Sequence, residues 1–202
     1  MKTLRILSLL ILPLLVLAGC GDDDDTDPPT PPSDQEVLAA GWDAYEQDDL
    51  ADAEAQFREL LGRGALLANA HNGLGWVFAA QSAADSAQAH FVDAVTANGG
   101  DDGALDEQAY AGQAFALDAL GEWEGVLDAA AEVPEGWTFP HDPTIDRNDI
   151  HVLQAVAHYA LGEFGSSLVQ VQIFDAAFEP DLTTAAGLAE LAARIEALLI
   201  SV

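Results

Sequence analysis

From Gln35 onward, apolar residues recur at three- and four-residue steps, and no stretch of β-branched residues alternates with polar ones. That periodicity predicts helix after helix, and an all-α fold for residues 35–202. The pattern also repeats on a longer scale: Gly41 and Gly75, Trp42 and Trp76, Ala53 and Ala87, and Phe57 and Phe91 all share one spacing of thirty-four positions. Periods of this length mark helical hairpins that bury their apolar faces by stacking. Upstream the pattern changes twice. Residues 6–18 form an almost wholly apolar run behind Lys2 and Arg5, too short to cross a membrane and arranged as a secretory signal peptide. Residues 21–34, GDDDDTDPPTPPSD, hold no apolar anchor and read as an extended tether.

The apolar run ends in Leu17-Ala18-Gly19-Cys20, which resembles the lipobox of bacterial lipoproteins. The resemblance implies cleavage before Cys20, diacylation of its thiol and acylation of the new terminus. Residues 1–19 are then a lipoprotein signal, and residues 20–34 the lipidated Cys with its acidic, proline-rich tether. Each buried methylene adds about 0.8 kcal/mol, so several acyl chains hold durably where one holds marginally. An unmodified Cys behind an ordinary signal is the plainer alternative. Gly21 does not match the Asp that retains many lipoproteins in an inner membrane, which favours the outer membrane. The acidic run resembles the surface-export signals of some outer-membrane lipoproteins, although a solvating spacer has the same composition. It lacks the loop glycine and distal Glu of an EF-hand calcium site.

Thirty-four positions is the period of the tetratricopeptide repeat, and the resemblance extends to residue type. Gly41, Tyr45, Leu50, Ala53 and Phe57 fall where that family places its small, aromatic and turn-packing residues, and Leu74, Gly75, Phe78, Ala87, Phe91 and Ala94 follow in a second unit. Two more units are marked by their turns, Ala119-Leu120-Gly121-Glu122-Trp123 and Ala160-Leu161-Gly162-Glu163-Phe164, with Ala114 and Ala155 in the small position. The steps from Gly75 to Ala114 and from Ala114 to Ala155 are longer than the first, which implies insertions near 98–106 and 134–146. An alternative frame puts Gly112 in the small position of the third unit. After Pro180, Asp181 or Thr183 can cap a final helix to about Leu199. The expected architecture is an α-solenoid of about four tetratricopeptide-like hairpins over residues 36–178, plus a C-terminal capping helix.

In that family the residue after the small position lines the concave face. The column here is Trp42, Trp76, Phe115 and Val156, with Tyr45 and Tyr159 near it. These six residues form the expected partner-binding groove, because large aromatics supply contact area at interfaces. Ordinary packing is the competing reading, and the insertion carrying Trp137, Phe139 and Pro140 is either a plug for this groove or a second recognition loop.

Charge narrows the partners. The chain has 6 basic and 35 acidic residues and a net charge of −29; loss of residues 1–19 would leave −31, with four Arg and no Lys. Such a surface repels phosphate backbones, so nucleic acid is not an expected partner. It is similar to proteins of salt-loving bacteria and predicts destabilisation at low salt.

The remaining polar residues point to no reaction and no cofactor. His71 falls at a position usually buried within the first helix and His90 lies on the second, while His151 and His158, seven apart on one helical face, are two histidines without a third ligand, a poor metal site. His141-Asp142 could suggest a catalytic pair, but the sole Cys is the acylated one the lipobox resemblance implies and no Ser sits in a nucleophile elbow, and no glycine-rich loop precedes a Lys. The expected function is a membrane-anchored, non-catalytic interaction module of the cell envelope that binds a protein or peptide segment. A lipoprotein that captures a small apolar or cationic ligand is the alternative. An enzyme using Asp118, Asp142 or Asp146 would need two carboxylates converging in one cavity.

Overall fold

Ser33 closes the proline-rich stretch and starts the first helix. Its hydroxyl accepts from the Glu36 N–H, while the Glu36 carboxylate accepts from the Ser33 N–H at 2.7 Å, a reciprocal capping box. The computed structural model describes residues 30–201, so the signal segment, Cys20 and most of the tether lie outside the described residues. Among the described residues nine helices follow in order: α1 (Asp34–Glu46), α2 (Leu50–Arg63), α3 (Leu67–Ala80), α4 (Ala84–Asn98), α5 (Gly103–Leu120), α6 (Trp123–Ala131), α7 (Arg147–Ala160), α8 (Phe164–Phe174) and α9 (Ala185–Ser201). The chain is all-α, and an isolated antiparallel bridge between Thr138 and Asp146 is the only extended pairing among these residues.

Four of the turns are built alike. Asp48, Ser82, Gly121 and Gly162 have φ of 61°, 59°, 74° and 77°, left-handed values that end a helix and send the chain into the next. Their N–H groups donate to Tyr45, Ala79, Asp118 and Tyr159, and the following N–H groups reach Ala44, Phe78, Leu117 and His158. From one left-handed position to the next, the chain advances by the same three steps as the small residues Gly41, Gly75, Ala114 and Ala155.

Packing between hairpins explains the glycines. A Cβ on Gly41 would lie 2.6 Å from the Phe57 ring and one on Gly73 2.5 Å from it, so this phenyl sits between its own hairpin and the next. Phe91 is held in the same way by Gly75 and Gly112. Both rings are fully buried, each worth about 1.5–3 kcal/mol of apolar burial. Gly112 thus takes the place of Gly73, which leaves Ala114 in the place of Gly75. Each helix packs on its successor, and α1, α3, α5, α7 and α9 also touch in series, a solenoid-like arrangement.

The insertion expected near 98–106 falls at the start of α5, which runs to 18 residues and is capped by Asp102. The last helix is capped by neither Asp181 nor Thr183. Asp181 accepts from the Thr183 N–H and hydroxyl in a local turn, so the chain enters the helix a few positions later, where the Thr184 hydroxyl accepts from the Gly187 N–H at 3.0 Å. Leu191, Ile195 and Leu198 of α9 then cover Val152, Ala155 and Val171.

Candidate functional site

Trp42 on α1 and Trp76 on α3 are brought to one face by the repeat of the hairpin. That face is met by residues 137–141 of the long α6–α7 connection. Phe139 is fully buried there, stacked on Trp76 with ring centroids 4.0 Å apart and edge-on to Trp42 at 6.0 Å and Tyr45 at 6.1 Å. His141 lies flat on Trp42 at 3.8 Å, with its Nδ1 2.9 Å from Glu46 Oε1. The connection is fastened at its base. The Phe139 N–H donates to Ile145 O at 2.9 Å, the Arg147 N–H to Trp137 O at 3.0 Å, and the Arg147 guanidinium to Ala130 O at 2.9 Å.

The six groove residues of the sequence pattern therefore divide. Trp42, Tyr45, Trp76 and Phe115 belong to one apolar cluster, with Phe115 6.2 Å from Trp76. Val156 and Tyr159 pack in another, under α9, and the Tyr159 hydroxyl donates to Leu188 O at 3.3 Å. Residues 137–141 fill the face between the two tryptophans.

Two openings lie at the C-terminal ends of α1, α3 and α5. One opening, about 480 Å³, is lined by Tyr45, Glu46, Asp48, Ala80, His141 and Asp142, among others. A second, about 260 Å³, is lined by Ala79, Ser82, Phe115, Ala116 and Ala119, among others. The consecutive Ala79 and Ala80 place the two side by side. Helix C-termini carry partial negative charge, so this face favours cationic groups even before Glu46, Asp48 and Asp142 are counted. Burial, with Asp142 and Asp48 nearby, pushes the Tyr45 phenol up to about 12.

Comparisons with protein families, with curated proteins and with solved structures find no match.

Asp118, Asp142 and Asp146 stand in different settings. Asp142 accepts from the Thr144 N–H and hydroxyl, Asp146 caps α7 through the Asn148 N–H, and Asp118, on α5, is raised by burial with one oxygen unpartnered. The histidines also separate. His158 meets Glu163 at 2.7 Å, whereas His151 meets Gln170 at 2.9 Å and Glu135 at 3.3 Å. His71 and His90 come together, Nδ1 to Nδ1 at 3.0 Å, with Asp93 Oδ2 3.7 Å from His71 Nδ1. Burial, and then the neighbouring His71, holds His90 below its usual range. The third group, Asp93, is not singled out by the sequence, where its one signal is its place a helical turn beyond His90.

Proposed function

We propose that the protein is a lipid-anchored, non-catalytic interaction module of the cell envelope, tethered through Cys20 to the outer membrane. Its body is read as four tetratricopeptide-like hairpins and a capping helix. It holds a basic, partly apolar segment of a protein partner along the open ends of α1, α3 and α5. The observation that carries this reading is the pair of adjoining openings that combine Tyr45 and Phe115 with Glu46, Asp48 and Asp142. Aromatic surface supplies contact area, and the acids with the helix ends select positive charge.

The partner-binding face thus lies at the helix ends rather than over the two tryptophans. Tyr45 and Phe115 keep the partner-facing role, while Trp42 and Trp76 form the floor beneath Phe139. The test is cross-linking from intact envelopes in high salt, comparing the natural protein with Ala80→Arg, a change at an exposed alanine that lines the larger opening. Loss of a protein partner with the fold retained supports the reading, and an unchanged set of partners overturns it. Cys20→Ser tests the anchor separately: the variant should be left unprocessed or soluble, and natural processing with unchanged membrane fractionation overturns the anchor.

The second reading, capture of a small cation, is favoured by the larger opening alone, where Tyr45 and His141 stand among three carboxylates. Co-purification of a cationic small molecule that is lost in Ala80→Arg, with no cross-linked protein, would select it.

A further inference from the structure

We propose that His71, His90 and Asp93 form a binding site for a first-row divalent transition cation, with zinc as its representative, that ties α3 to α4. The two imidazoles face each other through the same ring atom, Nδ1 to Nδ1 at 3.0 Å, and Asp93 Oδ2 stands 3.7 Å from His71 Nδ1. One donor atom from each of the three lies within 4.8 Å of the others. Zinc binds nitrogen at about 2.0–2.1 Å in a tetrahedron, which puts neighbouring ligand atoms about 3.3 Å apart. The His–His edge is already close to that size. Asp93 is 58% exposed, so its carboxylate has room to close the third edge, and the fourth position faces solvent, where water completes the shell.

The sequence register shows how particular this site is. The same pairing of first and second helix, 19 residues apart, recurs in the fourth hairpin as His151 and Gln170 at 2.9 Å. There an amide replaces the second imidazole, and Ile173 stands where Asp93 would be. In these two hairpins the slot holds an inter-helix hydrogen bond, and among the described residues the second hairpin alone pairs two imidazoles in it with a carboxylate one turn on. Between neutral rings the contact holds one shared proton. A cation at that point replaces it, the proton passing through solvent to the free Nε2 of the same ring, and no other chemistry is required.

The surroundings admit a cation. His90 rests on Phe78, ring planes 5° apart, and Arg58 sits over the Phe78 ring at 5.8 Å from its centroid. That guanidinium is paired with Glu54 at 2.7 Å, which offsets its charge. Two neutral imidazoles and a carboxylate are a borderline donor set that discriminates against calcium and magnesium, which take oxygen ligands.

The experiment is calorimetric titration of the full-length protein, purified without a polyhistidine tag, with Zn²⁺ in the presence of excess Ca²⁺ to fill nonspecific carboxylate sites. The expected result is one Zn²⁺ per chain, with affinity at least tenfold weaker in His71→Gln and in His90→Gln, weaker in Asp93→Asn, and unchanged in His151→Gln. Circular dichroism checks that each variant folds, and the imidazole nitrogen shifts of the natural protein should move at His71 and His90 when Zn²⁺ is added. Stoichiometric binding that survives both His71→Gln and His90→Gln, or no binding by the natural protein, overturns the proposal and leaves the pair as a hydrogen bond between helices.

Discussion

Trp76 and Phe139 stack with their ring planes 19° apart, although three helices separate them in the chain. This contact makes the α6–α7 connection part of the core rather than a loop on it. Phe139 fills the space that two tryptophans and a tyrosine leave between α1 and α3. Phe139→Ala should therefore act as a core truncation and cost about 3–5 kcal/mol. Urea unfolding followed by tryptophan fluorescence measures it, and a loss under about 1 kcal/mol would mean that the segment merely rests on the face.

The glycines of the hairpin contacts predict changes of opposite sign. A methyl group at Gly73 would meet three atoms of the Phe57 ring at 2.5–2.6 Å, and the ring is enclosed on its other side by Gly41. Gly73→Ala should destabilise by about 1–3 kcal/mol or more, because the phenyl has nowhere to retreat. Gly62, also in a helix, has nothing within 4 Å of such a methyl, so Gly62→Ala should stabilise by about 0.5–1 kcal/mol. Urea midpoints for the two variants check both signs, and two changes of the same sign would refute this packing.

Much of this was legible in the sequence because it depends on spacing along one helix or between adjacent ones. The regular recurrence of Gly and Phe marks real contacts, and the longer steps of the third and fourth units are those of the left-handed turn residues. What was not legible depends on contacts without a period. Residues 137–141 fold back on helices far upstream, and nothing in their composition distinguishes a plug from an exposed loop. Asp93 joins His71 only once α3 and α4 are docked. At α9, three residues able to cap stand close together, and the choice of Thr184 follows from the turn that Asp181 builds first.

Charge predicts a salt response. Arg58, Arg63, Arg147 and Arg194 are all engaged with carboxylates, so they leave most of the acidic surface uncompensated on a chain of net charge −29. Screening lengths shrink from about 30 Å at 0.01 M salt to about 3 Å at 1 M, which removes most repulsion between exposed charges. The melting temperature should rise by roughly 5–10 °C over that range, corresponding to a few kcal/mol for a body of this size. Scans in KCl and NaCl should agree, and a flat or falling response would contradict the argument.

The Tyr45 phenol gives the alkaline counterpart. Burial, with Asp142 and Asp48 close by, pushes it up to about 12, whereas a tyrosine in an unfolded chain ionises near about 10. Between those values the folded state keeps a proton that the unfolded state has released, so stability falls as pH rises. The contribution is complete below about pH 10 and is lost as pH climbs through 12. Ultraviolet titration should show the Tyr45 phenol ionising late, and Asp142→Asn should bring it earlier by removing one of the repelling charges. Tyr45→Phe should flatten the alkaline loss of stability, and an unchanged alkaline limb in that variant would place the late-ionising phenol elsewhere.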